Sequence, residues 1–111
     1  MNPAGEPHAV ASAEVPAQAY LLDVREDDEW QAGHAPQAKH IPLGLLGEQV
    51  SQVPRDQDVY VICKSGRRSA RATEALTSGG WRAINVSDGM LGWESSGLAM
   101  TSESGQPPFV A

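Results

Sequence analysis

Cysteine is almost missing from this chain, with Cys63 standing alone among 111 residues. That scarcity excludes an intramolecular disulfide and any cluster of thiolate metal ligands, and it removes the need for an oxidising compartment. The three histidines, His8, His34 and His40, show no ligand spacing with one another or with the cysteine, so neither a metal nor a cofactor is expected. No apolar run approaches the roughly 20 residues that cross a bilayer. Cations are scarce as well, eight against 14 acids for a formal charge of −6, which argues against nucleic acid or an anionic membrane as general partners. The first eighteen residues carry Glu6, Glu14 and three prolines and have no basic start. No secretory signal is therefore expected, and the chain is expected in the cytoplasm.

The charge that is present lies unevenly. Half of the eight cations, Lys64, Arg67, Arg68 and Arg71, fall in the nine residues that begin at Cys63 and include no acid. By contrast, the run from Asp23 to Glu29 holds five acids and a single cation, Arg25. Either an anion is handled beside the cysteine, or a solvated basic helix end happens to follow it; on charge alone the two stand about even.

A chain of this length supports a single domain. Residues 19–24, AYLLDV, form a short apolar run without helical period and predict a buried strand. Residues 26–32 predict a helix, with acids in the first turn, Trp30 as its core anchor and Gly33 as its stop. A proline-punctuated stretch then leads to a very short extended piece at 39–41 and a short helix at 43–50. DVYVI, residues 58–62, is the expected central parallel strand, buried on both faces. A helix is expected over 69–78, capped by Ser69 and stopped by Gly79 and Gly80, followed by a strand at 83–86 and a helix at 90–95. The alternation implies an α/β fold: a small, mostly parallel sheet flanked by helices on both faces. Residues 1–18 are expected as an extension, 19–100 as the domain, and 101–111 as a loose polar tail with Phe109 as its one apolar anchor.

In an open parallel sheet ligands bind beyond the carboxyl ends of the strands, and Cys63 ends the central one. The loop that follows, Lys64, Ser65, Gly66, Arg67, Arg68, contains a glycine that lets several N–H groups converge on one point. The helix beginning near Ser69 adds its positive end, which binds anions and lowers a thiol pKa. A thiolate placed there suits nucleophilic attack on an anionic substrate. A lone cysteine without this context would be read as an inert core residue.

Four segments in order resemble single-domain rhodaneses, a family of sulfurtransferases: LLDVREDDEW at 21–30, GHAPQAKHIPL at 33–43, VYVICKSGRRSARA at 59–72 and NVSDGMLGW at 85–93. The resemblance implies that Cys63 is catalytic, taking the outer sulfur of thiosulfate or a related persulfide donor. It implies a thiol or cyanide as the acceptor, with a sulfur-accepting protein as a possible partner. It implies that residues 64–69 hold the transferred sulfur, that Arg68 matches the arginine of CxxGxR, and that Asp23 and Arg25 form a structural pair at a strand end. His34 matches the family's GH-x-P turn. Phosphatases and arsenate reductases of the same fold place their arginine six positions after the cysteine, whereas here it is fifth and Ser69 is sixth. The smaller ring favours sulfur over a tetrahedral oxyanion. A non-enzymatic sulfur carrier or redox sensor is the other competing class, because an accessible low-pKa thiol also oxidises reversibly. Asp88 replaces a usual glycine and is expected to bring a carboxylate toward the loop. Trp30 and Trp93 are expected in the core, with Trp93 a candidate wall of the cleft.

Overall fold

The computed structural model describes residues 8–111. Five parallel strands form one sheet: β1 (Ala9–Val10), β2 (Tyr20–Asp23), β3 (Lys39–His40), β4 (Asp58–Ile62) and β5 (Arg82–Val86), in the order β1-β5-β4-β2-β3. The apolar runs explain the centre of this sheet. Successive side chains of a strand point to opposite faces, so a strand covered on both sides must be apolar at every position. Leu22, Val59 and Val61 face one layer, built from α2 (Leu46–Gln49) and α3 (Arg67–Ser78) through Leu46, Ala72 and Leu76. Leu21, Ile62 and Val86 face the other, where α4 (Gly89–Ser95) contributes Met90 and Trp93. The expected α/β architecture is therefore present, with every strand pair parallel among the described residues.

Several local expectations need correction. β1 comes from the stretch expected as an extension: Ala9 pairs with Asn85 and Val10 with Val86. Residues 1–7 of that stretch lie outside the described residues. The helix expected over 43–50 is instead three short pieces, α2 and a 3-10 turn on either side of it, because Gly44 and Gly47 interrupt a run too short to sustain an α-helix. α3 begins at Arg67, two residues before Ser69, since Gly66 adopts a left-handed φ of 95° and turns the chain into the helix one step earlier. Ser69 is consequently not a cap.

Helix α1 (Asp27–Ala32) contains no buried residue. Trp30 is not a core anchor: it lies half-exposed between two imidazoles, stacked on His34 with ring centroids 3.5 Å apart and on His40 at 4.7 Å. A helix of six residues is too short to turn a full apolar stripe inward. The polar tail is docked rather than loose. Thr101 and His34 exchange backbone hydrogen bonds at 2.9 Å, the Phe109 N–H donates to the Ala32 carbonyl at 3.1 Å, and Val110 packs beside Met100 and Leu98. Phe109 itself is 54% exposed, so backbone bonds and Val110 supply the anchor expected from its ring.

The strand order fixes where a site can form. From β2 the chain crosses to β3 on one side, while β4 lies on the other and crosses onward to β5. The carboxyl ends of β2 and β4 thus flank the point where the crossovers diverge, the usual crevice of an open parallel sheet. Asp23 ends one strand and Ile62, followed by Cys63, ends the other.

Candidate active site

Cys63 leaves β4 with its side chain covered, 1% exposed, and its sulfur faces donors from the following loop. The Gly66 N–H points at Sγ over 3.1 Å and the Ser69 N–H over 3.3 Å, and Ser69 Oγ lies 3.2 Å away. Burial pushes the thiol pKa up, but the Ser69 hydroxyl and the N–H groups of Ser69, Gly66 and Ser65 outweigh it and leave the thiol below its ordinary value. Ser69, expected as a cap, thus becomes a ligand of the sulfur. Arg67 and Arg68 open α3, so their N–H groups have no carbonyl one turn back within the helix.

The loop is held from behind by backbone packing. A Cβ on Gly66 would run into the Ser87 carbonyl, and one on Gly89 into the carbonyls of Cys63 and Lys64. The close approach at Gly89 lets Met90 N–H donate to the Cys63 carbonyl at 2.8 Å and Leu91 N–H to the Lys64 carbonyl at 3.1 Å. Asn85, on β5, donates from Nδ2 to the Gly66 carbonyl at 3.2 Å. Together these bonds fix both ends of the curl around Sγ.

The cations divide into two kinds. Arg68 grips the Glu29 carboxylate with two parallel bonds of 2.7 and 2.9 Å. This fork draws the Glu29 carboxyl down to about 2 against the opposing effect of burial, and the same pairing raises the Arg68 pKa. Arg67 and Arg71 are exposed, Lys64 is half-buried, and none of the three forms an ion pair among the described residues. The unspent positive charge of the stretch that begins at Cys63 therefore comes from Lys64, Arg67 and Arg71.

Asp23 and Arg25 sit at the end of β2, both fully buried. Arg25 Nε and Nη2 bond the Asp23 carboxylate at 2.9 and 2.8 Å, Nη2 also donates to the Gly33 carbonyl at 2.8 Å, and Nη1 reaches toward the Glu29 carbonyl. They make no bond to Cys63 or its loop. Asp88 is likewise engaged elsewhere, because its Oδ1 accepts from Ser12 N at 2.8 Å and Ser12 Oγ at 2.6 Å. The carboxylate expected to approach the loop instead ties the turn after β1 to the start of α4. Trp93 packs in the second core layer and donates from Nε1 to the Ala99 carbonyl at 2.9 Å, rather than lining the thiol.

Three contributors escaped the sequence reading. Glu29 was one acid among five in the run from Asp23, and nothing local ties it to an arginine 39 positions away. Asn85, through its side-chain amide, and Gly89, through its lack of a side chain, act on backbone carbonyls of the loop. Their signal was only indirect, namely that they fall within the segment NVSDG after a strand.

With this geometry in view, comparison with known proteins is informative. The family model described as "Rhodanese-like domain" matches residues 9–96. YtwF of Bacillus subtilis, which carries a provisional sulfurtransferase name, is 40% identical over 81 residues, covering 73% of this chain and 79% of that one. A sulfurtransferase of Allochromatium vinosum is 34% identical over 86 residues, covering 77% of this chain and 80% of its own. Among solved structures, a rhodanese-related protein from Thermoplasma volcanium superposes with a TM-score of 0.72 at 34% identity, over 75% of this chain and 83% of that one. The chain therefore belongs to the rhodanese-like domain family of sulfurtransferases.

Proposed function

We propose that the protein is a thiosulfate-type sulfurtransferase that works through a persulfide on Cys63. The observation that carries this reading is the donor ring around Sγ, in which backbone N–H groups of a short loop converge on a buried sulfur whose thiol pKa is lowered. In the first half-reaction the Cys63 thiolate attacks the outer sulfur of thiosulfate. A new S–S bond forms, the old one breaks, and sulfite leaves with the electron pair. The terminal persulfide sulfur carries the negative charge, which the N–H groups at the start of α3 stabilise. In the second half-reaction a thiolate or cyanide attacks that terminal sulfur, Cys63 departs as thiolate, and the enzyme is restored. Lys64, Arg67 and Arg71 draw the anionic donor to the mouth.

The pairing of Arg68 with Glu29 supports sulfur over phosphate or arsenate. A guanidinium committed to a carboxylate is not free to wrap a tetrahedral oxyanion, and the loop is one residue shorter than that chemistry uses. A protein whose lone cysteine serves as thiolate and persulfide is suited to a reducing compartment, which favours the cytoplasm. Among the described residues no helix is long and apolar enough to cross a membrane.

The test is intact mass before and after thiosulfate and again after cyanide, beside a Cys63→Ala control. A gain of one sulfur atom that requires Cys63 and disappears with cyanide is the expected result. No uptake from thiosulfate, with uptake from a small persulfide, would instead favour a carrier that receives sulfur from another protein.

A further inference from the structure

Helix α1 is held in place without a core. It buries no side chain, and its six residues cannot sustain a helix by backbone bonds alone. What fixes it are the Trp30 stack on His34 and His40, the Arg25 guanidinium on the Glu29 and Gly33 carbonyls, and polar contacts on two sides. On one side Glu29 forks onto Arg68 of the sulfur loop. On the other lies the segment after α4: the Glu103 N–H donates to the Gln31 carbonyl at 3.0 Å and the Phe109 N–H to the Ala32 carbonyl at 3.1 Å.

His34 closes this second contact. Its backbone pairs with Thr101, its Nε2 meets the Glu103 carboxylate at 2.8 Å, and its Nδ1 faces the Ala35 carbonyl at 2.9 Å. Both partners of the ring are oxygen atoms that can accept a hydrogen bond, so the imidazole is held at each of its nitrogens. The remaining charged groups nearby are already occupied. Arg25 is taken by Asp23 and the Gly33 carbonyl, and His40, on the far face of Trp30, bonds the Arg25 carbonyl with Asp27 at 3.9 Å from its other nitrogen. Glu103 is therefore the carboxylate that holds His34. The segment also lies beyond the residues matched by the family model, which end at 96.

We infer that residues 101–110 form a strap that positions the sulfur loop through α1: Glu103 and His34 fix the helix, the helix presents Glu29, and Glu29 fixes Arg68 in the first turn of α3, next to the Ser69 that bonds the sulfur. Glu103 and His34 are positioning residues, since neither touches the sulfur. The inference rests on the sulfur-transfer reading only for its effect on rate, because the state of the Cys63 thiol can be read directly.

The experiment is ultraviolet titration of the Cys63 thiolate in the full chain. Glu103→Gln weakens the strap at its side-chain contact with His34, loosens the first turn of α3 that carries Ser69, and is expected to leave about threefold less thiolate at a given pH below the midpoint. Glu29→Gln breaks the link from α1 to the loop and supplies the background for a double-mutant cycle. Adding Glu103→Gln to Glu29→Gln is expected to change nothing further, and Glu103→Asp to restore the parent titration. An unchanged thiolate in Glu103→Gln, or a second full loss in the Glu29→Gln background, would overturn the inference. Amide hydrogen exchange in the unaltered protein is a second check. The Glu103 and Phe109 amides should open together with those of Trp30 and Gly33 in α1, and independent opening would equally overturn it. Failure to form a persulfide would count against the proposed function while leaving both of these readouts intact.

Discussion

Two neighbouring strands end in buried polar sites, and they have been finished in opposite ways. At the end of β2, the Asp23 carboxylate and the Arg25 guanidinium meet each other and nearby carbonyls until almost every donor and acceptor is used. At the end of β4, the Cys63 sulfur is surrounded by donors alone, with more N–H groups in the following turn than the thiol can take up. Burial is the same at both, 0% and 1% exposed. What separates the saturated pair from the candidate reactive centre is therefore neither depth nor polarity but whether donors are left over. A saturated pair has nothing to offer a ligand; an excess of donors is a standing preference for negative charge.

The comparison can be broken most severely at the sulfur. Cys63→Ser should abolish sulfur uptake from thiosulfate altogether, by mass spectrometry, while leaving the thermal transition close to that of the parent. At the other strand end the losses should be reversed. Arg25→Met leaves the Asp23 carboxylate buried without its cation and should cost about 3–5 kcal/mol in denaturant unfolding, far more than any direct effect on the sulfur. Activity per folded molecule should survive it, and a selective loss of activity without loss of stability would erase the distinction drawn here.

Glu29→Gln tests the contact closest to both ends. Removing the charged fork should lower sulfur-transfer efficiency about tenfold, equivalent to roughly 1.4 kcal/mol. Its stability effect has a definite sign. The carboxyl is depressed to about 2 by Arg68, so it stabilises the fold above the ordinary carboxylate range and loses that contribution as pH falls through about 2. The gap in stability between parent and Glu29→Gln should accordingly be constant near neutrality and close on strong acidification. The smallest effect is expected from Ser69→Ala. It removes one of the sulfur's donors but leaves the Ser69 and Gly66 N–H groups, so the thiol midpoint should rise and the rate fall only a few-fold, about 1 kcal/mol.

Much of the sheet was legible in the sequence because LL, VYVI and AI are apolar at consecutive positions, as strand centres covered on both faces tend to be. The placement of Cys63 before a helix followed from the same pattern. β1 was not legible, since two residues carry no periodicity and their strand character comes wholly from pairing with β5. The start of α3 was misplaced because Ser69 is a favourable cap residue, whereas the left-handed turn at Gly66 brings the chain into the helix at Arg67. Trp30 looked like a core residue because large aromatics usually are, whereas here His34 and His40, which follow the same helix, provide the stack. The docking of residues 101–110 runs largely through backbone groups, which are identical in every residue and leave no compositional mark.

The two outermost strands, β1 and β3, are only two residues long each. A longer border would expose a row of unpaired amides and carbonyls onto which a second copy could add. With borders this short, the sheet offers almost no template for edge-to-edge growth. Brevity at the margins, where the sequence is least distinctive, thus guards against aggregation a molecule whose apolar strength is concentrated in its middle strands.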